Sequence, residues 1–147
     1  MKKLIILLFA SVLSLSSINA KAKSITLGWA AWDPANALQE LTKEFTAETG
    51  IDVNFEFVPW PNFADRMLNE LNNKGKTFDL LIGDSQWIGA GAVYGHYVKL
   101  NDFFNKEGIS MNDFSPATVY AYSTWPKGSE NYYALPAMGD ALAWAYR

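Results

Sequence analysis

SITLGWAAWDPANALQELTKEFTAETGIDVNFEF, residues 24–57, changes its hydrophobic period twice, and that change decides the fold class. Ser24 to Trp29 reads as a short strand, and Asp33-Pro34 then opens a helix. The Asp33 carboxylate is suited to accept from the orphan N–H groups of the first turn, and Pro34 sits where its missing donor costs nothing. Leu38, Leu41 and Phe45 recur at helical spacing opposite Gln39, Glu40, Lys43 and Glu44, and Gly50 is placed to end the helix in a left-handed turn. Ile51, Val53, Phe55 and Phe57 alternate with Asp52, Asn54 and Glu56, the pattern of a strand with one buried face. Strand, helix and strand joined by a crossover of this length make a parallel, right-handed unit. The expected fold is α/β, a mostly parallel sheet with helices on both faces.

Further along, a helix over about Asn62 to Asn72 buries Phe63, Met67, Leu68 and Leu71 and is closed by Asn73-Lys74-Gly75. Phe78 to Ile82 is continuously apolar, which predicts a central parallel strand covered on both faces. Asp84 or Ser85 is placed to cap a short third helix through Tyr94, in which Gly89, Ala90, Gly91 and Ala92 permit close backbone packing. Asn101 to Lys106 and Pro116 to Tyr122 read as further helical turns, Pro126 to Asn131 as a polar loop, and Tyr132 to Leu135 and Leu142 to Tyr146 as strands.

The first 22 residues stand apart. Lys2 and Lys3 precede an apolar stretch, Leu4 to Leu15, that runs into Ala20-Lys21-Ala22, the layout of a cleavable secretory signal. The stretch is shorter than the roughly 20 residues that span a bilayer. Cleavage after Ala22 removes three of the 12 basic residues and leaves nine against 15 acidic ones, a net charge of −6. Nucleic acid is therefore not an expected partner. There is no cysteine, so disulfides, thiolate chemistry and a lipid-anchoring cysteine are excluded. The sequence stops at Arg147 directly after the apolar run Ala141 to Tyr146, which leads us to expect a truncated chain.

In an open α/β sheet, ligands settle in the crevice at the carboxyl ends of the strands. Trp32-Asp33, Trp60, Asp84 to Trp87 and Asp140 all follow β-like runs, so they are the candidates to line such a crevice. Indole faces stack on the C–H faces of a sugar or polyol while carboxylates accept its hydroxyl hydrogens. Trp60, between Pro59 and Pro61, is expected in a stiff loop at a strand end, and Trp32 and Trp87 share a loop placement. Trp29 and Trp144, inside strand patterns, are expected to pack in the core. Arg66 is expected to pair with Glu70 one turn on. Asp84 and Asp140 are the only pair to weigh as glycosidase acids, but no second acid stands near either in sequence. His96 is the sole histidine, no Gly-x-Ser-x-Gly motif occurs, and neither a metal-ligand spacing nor a phosphate loop is present. No catalytic residue, metal site or cofactor is expected.

Several pieces in order carry a resemblance: Ile25-Thr26-Leu27-Gly28-Trp29; Phe45-x-x-Glu48-Thr49-Gly50-Ile51-x-Val53; Phe78-Asp79-Leu80-Leu81-Ile82; Gly95-x-x-Val98-x-Leu100; and Tyr133-Ala134-Leu135-Pro136 with Tyr146 ten residues later. Together they resemble the family 1 extracellular solute-binding proteins of ABC importers, the maltose-binding-protein-like class. The resemblance implies a type II periplasmic-binding-protein-like fold of two hinged lobes. Residues 23–140 would form the N-terminal α/β lobe and residues 141–147 the start of the hinge crossover, with the second lobe missing. It also implies that the loops after the strands hold the solute, so Trp32, Asp33, Asp84, Ser85, Trp87 and Asp140 carry over, with Trp60 added on its own placement. Where many relatives have an acidic or basic residue after the third strand, this chain has Gly83-Asp84-Ser85-Gln86-Trp87, so the particular solute does not transfer. The expectation is a periplasmic, monomeric binding protein that hands a carbohydrate or polyol to ABC permease subunits. A Trp cage for a quaternary ammonium solute such as a betaine, and a secreted glycosidase, stand as alternatives.

Overall fold

The computed structural model describes residues 23–139. The signal segment, Asp140, Trp144 and the strand expected over 142–146 lie outside the described residues. Strand β1 (Lys23–Ala30) and strand β2 (Ile51–Val58) pair in parallel along their whole length, from Lys23 opposite Ile51 to Ala30 opposite Val58. A short β3 (Leu80–Leu81) pairs with Leu27 and Gly28 on the other side, giving the order β2-β1-β3. The chain travels outward from β1 to β2 through helix α1 (Asp33–Thr49) and back past β1 through α2 (Trp60–Asn72). Right-handed crossovers in opposite directions place the two helices on opposite faces of the sheet. Shorter helices follow: α3 (Ile88–Val93), α4 (Asn101–Glu107) and α5 (Pro116–Tyr122).

Central β1 carries the core, with Leu27, Trp29 and Ala30 buried beside Ala35, Val58, Phe63, Met67 and Trp87. Gly28 is closely packed in this strand: a Cβ there would stand 3.1 Å from both the Met67 methyl and the Phe78 ring, so these neighbours would have to shift slightly. Trp29 is only 8% exposed, in line with its expected packing role. Helix α1 ends as its sequence predicts, at Gly50 with φ of 68°, whose N–H donates to the Thr46 carbonyl at 2.9 Å.

Other expectations need correction. Asp33 does not cap α1. Trp32 occupies the N-cap in an extended conformation, and Asp33 is the first helical residue with no side-chain capping bond. Its charge still favours the helix by facing the positive end of the peptide dipoles. Helix α2 begins at Trp60 instead of Asn62, since Pro61 in the first turn forfeits no hydrogen bond. It ends with Lys74 N–H donating to the Leu71 carbonyl at 3.1 Å and Gly75 N–H to the Glu70 carbonyl at 2.8 Å. Within the expected Asn73-Lys74-Gly75 closure, Lys74 takes the left-handed conformation, with φ of 52°. Arg66 does more than pair with Glu70: it donates to Glu70 Oε2 and to Glu56 Oε1, each at 3.0 Å, while lying 4.9 Å over the Phe78 ring. One guanidinium thus ties α2 to β2 and to the approach to β3.

Among the described residues the run Phe78 to Ile82 contributes only the short β3, which lies at the edge of the sheet with β1 at its centre. At its start Asp79 N–H donates to the Thr26 carbonyl at 2.9 Å, while the Asp79 carboxylate, not a backbone carbonyl, accepts the Thr26 N–H at 2.8 Å. Tyr132 to Leu135 forms no strand either. Its backbone groups go to separate partners: Leu100 N–H donates to the Tyr132 carbonyl, Tyr132 N–H to Asn101 Oδ1 and Tyr133 N–H to the Ser123 carbonyl, leaving a single antiparallel bridge to Thr124.

Candidate functional site

Strands β1, β2 and β3 end at Ala30, Val58 and Leu81, and the segments that leave them border one cavity of about 910 Å³. Ala31 N–H donates to the Val58 carbonyl at 2.8 Å, which holds the first two exits side by side. Parallel strands make this convergence unavoidable, because all their carboxyl ends lie on one side of the sheet.

Aromatic rings form the firm part of the wall. Trp32 stands edge-on to buried Trp29 with ring centres 5.6 Å apart, and Trp60 stacks on Phe63 at 5.8 Å with 23° between the planes. Phe63 in turn leans on Trp87 at 5.4 Å. Trp60 is 65% exposed although it stacks on Phe63, so apolar ring surface is left open on the border of the cavity. Its place is the first turn of α2, not the loop expected for it.

Trp87 is the larger correction. It is 7% exposed and belongs to the core, because the turn Ser85–Trp87 carries its indole inward beneath Gly83. A Cβ on Gly83 would stand 2.8 Å from that ring, so the glycine is what lets the indole tuck under the loop. Among the expected contact residues, Trp32, Trp60 and Asp84 border the cavity, whereas Asp33, Ser85 and Trp87 do not. Asp140 lies outside the described residues.

Asp84 occupies the N-cap position of the Ser85–Trp87 turn in an extended conformation, yet its side chain makes no capping bond. Its carboxylate instead accepts from Gln86 Nε2 at 3.1 Å. Burial pushes the Asp84 carboxyl above its ordinary pKa, and the Gln86 hydrogen bond opposes that shift in part. Tyr97, on the same cavity, is also pushed up, first by burial and then by the negative charge of Asp84. The phenol therefore stays protonated and able to donate at neutral pH.

Tyr97, Tyr133 and Met138 border the cavity but were not expected from sequence. They arrive from beyond α3, and no local pattern announces which part of the sheet they meet. The small residues of α3 were the available signal. Gly91 lies under the Tyr97 ring, where a Cβ would overlap it, and Gly89 lies 2.9 Å, measured from its missing Cβ, from the Trp125 ring. Among the described residues no three His, Asp or Glu side chains converge to hold a metal ion. Aromatic faces beside a partly buried carboxyl make a surface for a polar solute with a C–H face.

Residues 31–147 match the sequence profile of the family described as bacterial extracellular solute-binding protein. The chain is also similar to the crystal structure of an ABC transporter solute-binding protein from Agrobacterium radiobacter K84 in complex with ribitol, with a TM-score of 0.65 and 24% sequence identity. The match covers 75% of this chain and 27% of that one, and at this identity it establishes the shared fold. No curated protein matches significantly.

Proposed function

Because this chain belongs to the bacterial extracellular solute-binding proteins, we propose that it captures a carbohydrate or polyol and presents it to an ABC permease for import. The observation that carries the reading is the pairing of a braced, exposed Trp60 face with the Asp84 carboxyl on one cavity at the strand ends. A polyol offers both surfaces that these groups need, C–H faces for the indole and hydroxyl hydrogens for the carboxylate. The Agrobacterium protein of the same fold is in complex with ribitol, a polyol, which supports this solute class.

In this reading residues 1–22 direct export to the periplasm and are removed, and the binding protein acts there as a monomer, without a cofactor or catalytic step. Residues 23–140 form the N-terminal lobe, and residues 141–147 lead into the crossover to a second lobe that supplies the opposite wall. Trp32, Trp60 and Asp84 contact the solute directly. Asp33, Ser85 and Asp140 are the further solute contacts in this reading. Trp87 serves as a buttress, holding Trp60 through Phe63.

Isothermal titration calorimetry of the full-length protein against pentitols, hexoses and glycine betaine tests the proposal. Binding of a polyol or sugar, lost in Trp60→Ala and reduced at least tenfold in Asp84→Ala, is the expected outcome, the scale being that of a hydrogen bond to a charged group, about 1.5–3 kcal/mol. Binding of betaine in preference to every hydroxylated solute would overturn it.

A further inference from the structure

We propose that Asp84 and Tyr97 form a two-point clamp that grips a single solute hydroxyl, accepting its hydrogen at Asp84 and donating to its oxygen from Tyr97. The inference deepens the polyol or sugar reading above and rests on it.

Tyr97 is fixed from behind. Its N–H donates to the Gly91 carbonyl at 3.0 Å, and its ring lies flat against the place where any side chain on Gly91 would be. Its hydroxyl reaches forward to Gly83, standing 3.7 Å from the position a Cβ would take there, which brings it to the residue next to Asp84. Both side chains border the cavity. Gln86 Nε2 donates to Asp84 Oδ2, which leaves Oδ1 without a protein partner among the described residues. Among the described residues Asp84 and Tyr97 make no hydrogen bond to each other, and the Tyr97 hydroxyl lies against Gly83, the residue before Asp84.

The chemistry of the pair is selective. A carboxylate only accepts, and a phenol kept neutral brings one donor hydrogen. A hydroxyl is the small group that satisfies both at once, since it donates one hydrogen and accepts through its lone pairs. An ether oxygen leaves Asp84 without a donor, a carboxylate repels it, and a quaternary ammonium leaves both groups without a hydrogen-bond partner. Gly91 would then be required by the site as well as by packing, because it alone leaves room for the ring at this depth.

The test is calorimetry on the full-length protein with ribitol and with pentitols lacking one hydroxyl. Asp84→Asn and Tyr97→Phe are each expected to weaken ribitol about tenfold, and the double variant far less than the product of the two, since both act on one hydroxyl. Both variants should bind one of the deoxypentitols as well as the unaltered protein does, with unchanged thermal midpoints. Gly91→Ala, which displaces the ring with its phenol intact, should reproduce the Tyr97→Phe loss. Multiplicative losses in the double variant, or full ribitol affinity in Tyr97→Phe while Trp60→Ala abolishes it, would overturn the clamp and leave the polyol reading standing. If the unaltered protein bound no polyol or sugar, both would fall.

Discussion

Replacing Phe63 with alanine should damage the fold and the site together, because this ring joins them. It is 2% exposed, stacks under Trp60 at 5.8 Å and packs against Trp87 at 5.4 Å. Truncating a buried phenylalanine to alanine costs about 3–5 kcal/mol through lost transfer energy and the cavity left behind. Two aromatic pairs, each worth about 0.5–1.5 kcal/mol beyond area burial, put this position in the upper part of that range. Phe63→Leu separates the contributions: most of the volume stays while both ring contacts go, at a cost of about 1–3 kcal/mol for the two pairs. Urea unfolding of the full-length variants, followed by circular dichroism with solute absent, gives the two values. The midpoint should fall in the order Phe63→Leu, then Phe63→Ala, with an unchanged slope. Solute affinity should drop in both, since Trp60 has lost the ring that orients it. A cost below about 1 kcal/mol for Phe63→Ala would refute the packing of this ring between Trp60 and Trp87, because a fully buried, well-packed phenylalanine costs more than that to remove.

Two further outcomes follow from the geometry. Glu70 is held below its ordinary carboxyl range, chiefly by the Thr77 N–H, then by the Thr77 hydroxyl and by Arg66. A depressed folded-state value means stability that is present above the unfolded pKa and lost as pH falls through the folded one, so the loss begins below about pH 4.5. Acid titration of folding should therefore be flatter for Glu70→Gln than for the unaltered protein in that window, and identical curves would exclude a role for this carboxylate. Gly50→Ala should destabilise by about 1 kcal/mol, because φ of 68° is strained for any side chain, with Gly50→Asn costing less. Thermal unfolding that ranks asparagine below alanine would contradict this account of the α1 stop.

Local periodicity is why so much of the frame was legible from residues 24–57. The alternation of β2, the stripe of α1 and the glycine that stops it depend on neighbours in sequence, and each formed where the pattern placed it. The carboxyl ends of β1 and β2, with Trp32 and Trp60 beside them, follow from that frame and from the single direction of a parallel sheet. Other features depend on partners far along the chain. The apolar run before Gly83 does not reveal that the Asp79 side chain would take a ladder position, nor does Pro59-Trp60-Pro61 reveal a helix start. An indole after a strand reads alike whether it faces solvent or core, and the space beneath Gly83 decided that Trp87 turned inward. Asp84, the first residue after that glycine, was visible as a candidate from its position alone. The sequence by itself thus determined the strand order's raw materials and the edge at which a ligand site must lie, because both are set by short-range pattern. Only the tertiary structure decided which aromatics border that edge and that Tyr97 comes to stand against Gly83, the residue before Asp84, because those placements depend on which distant glycines leave room.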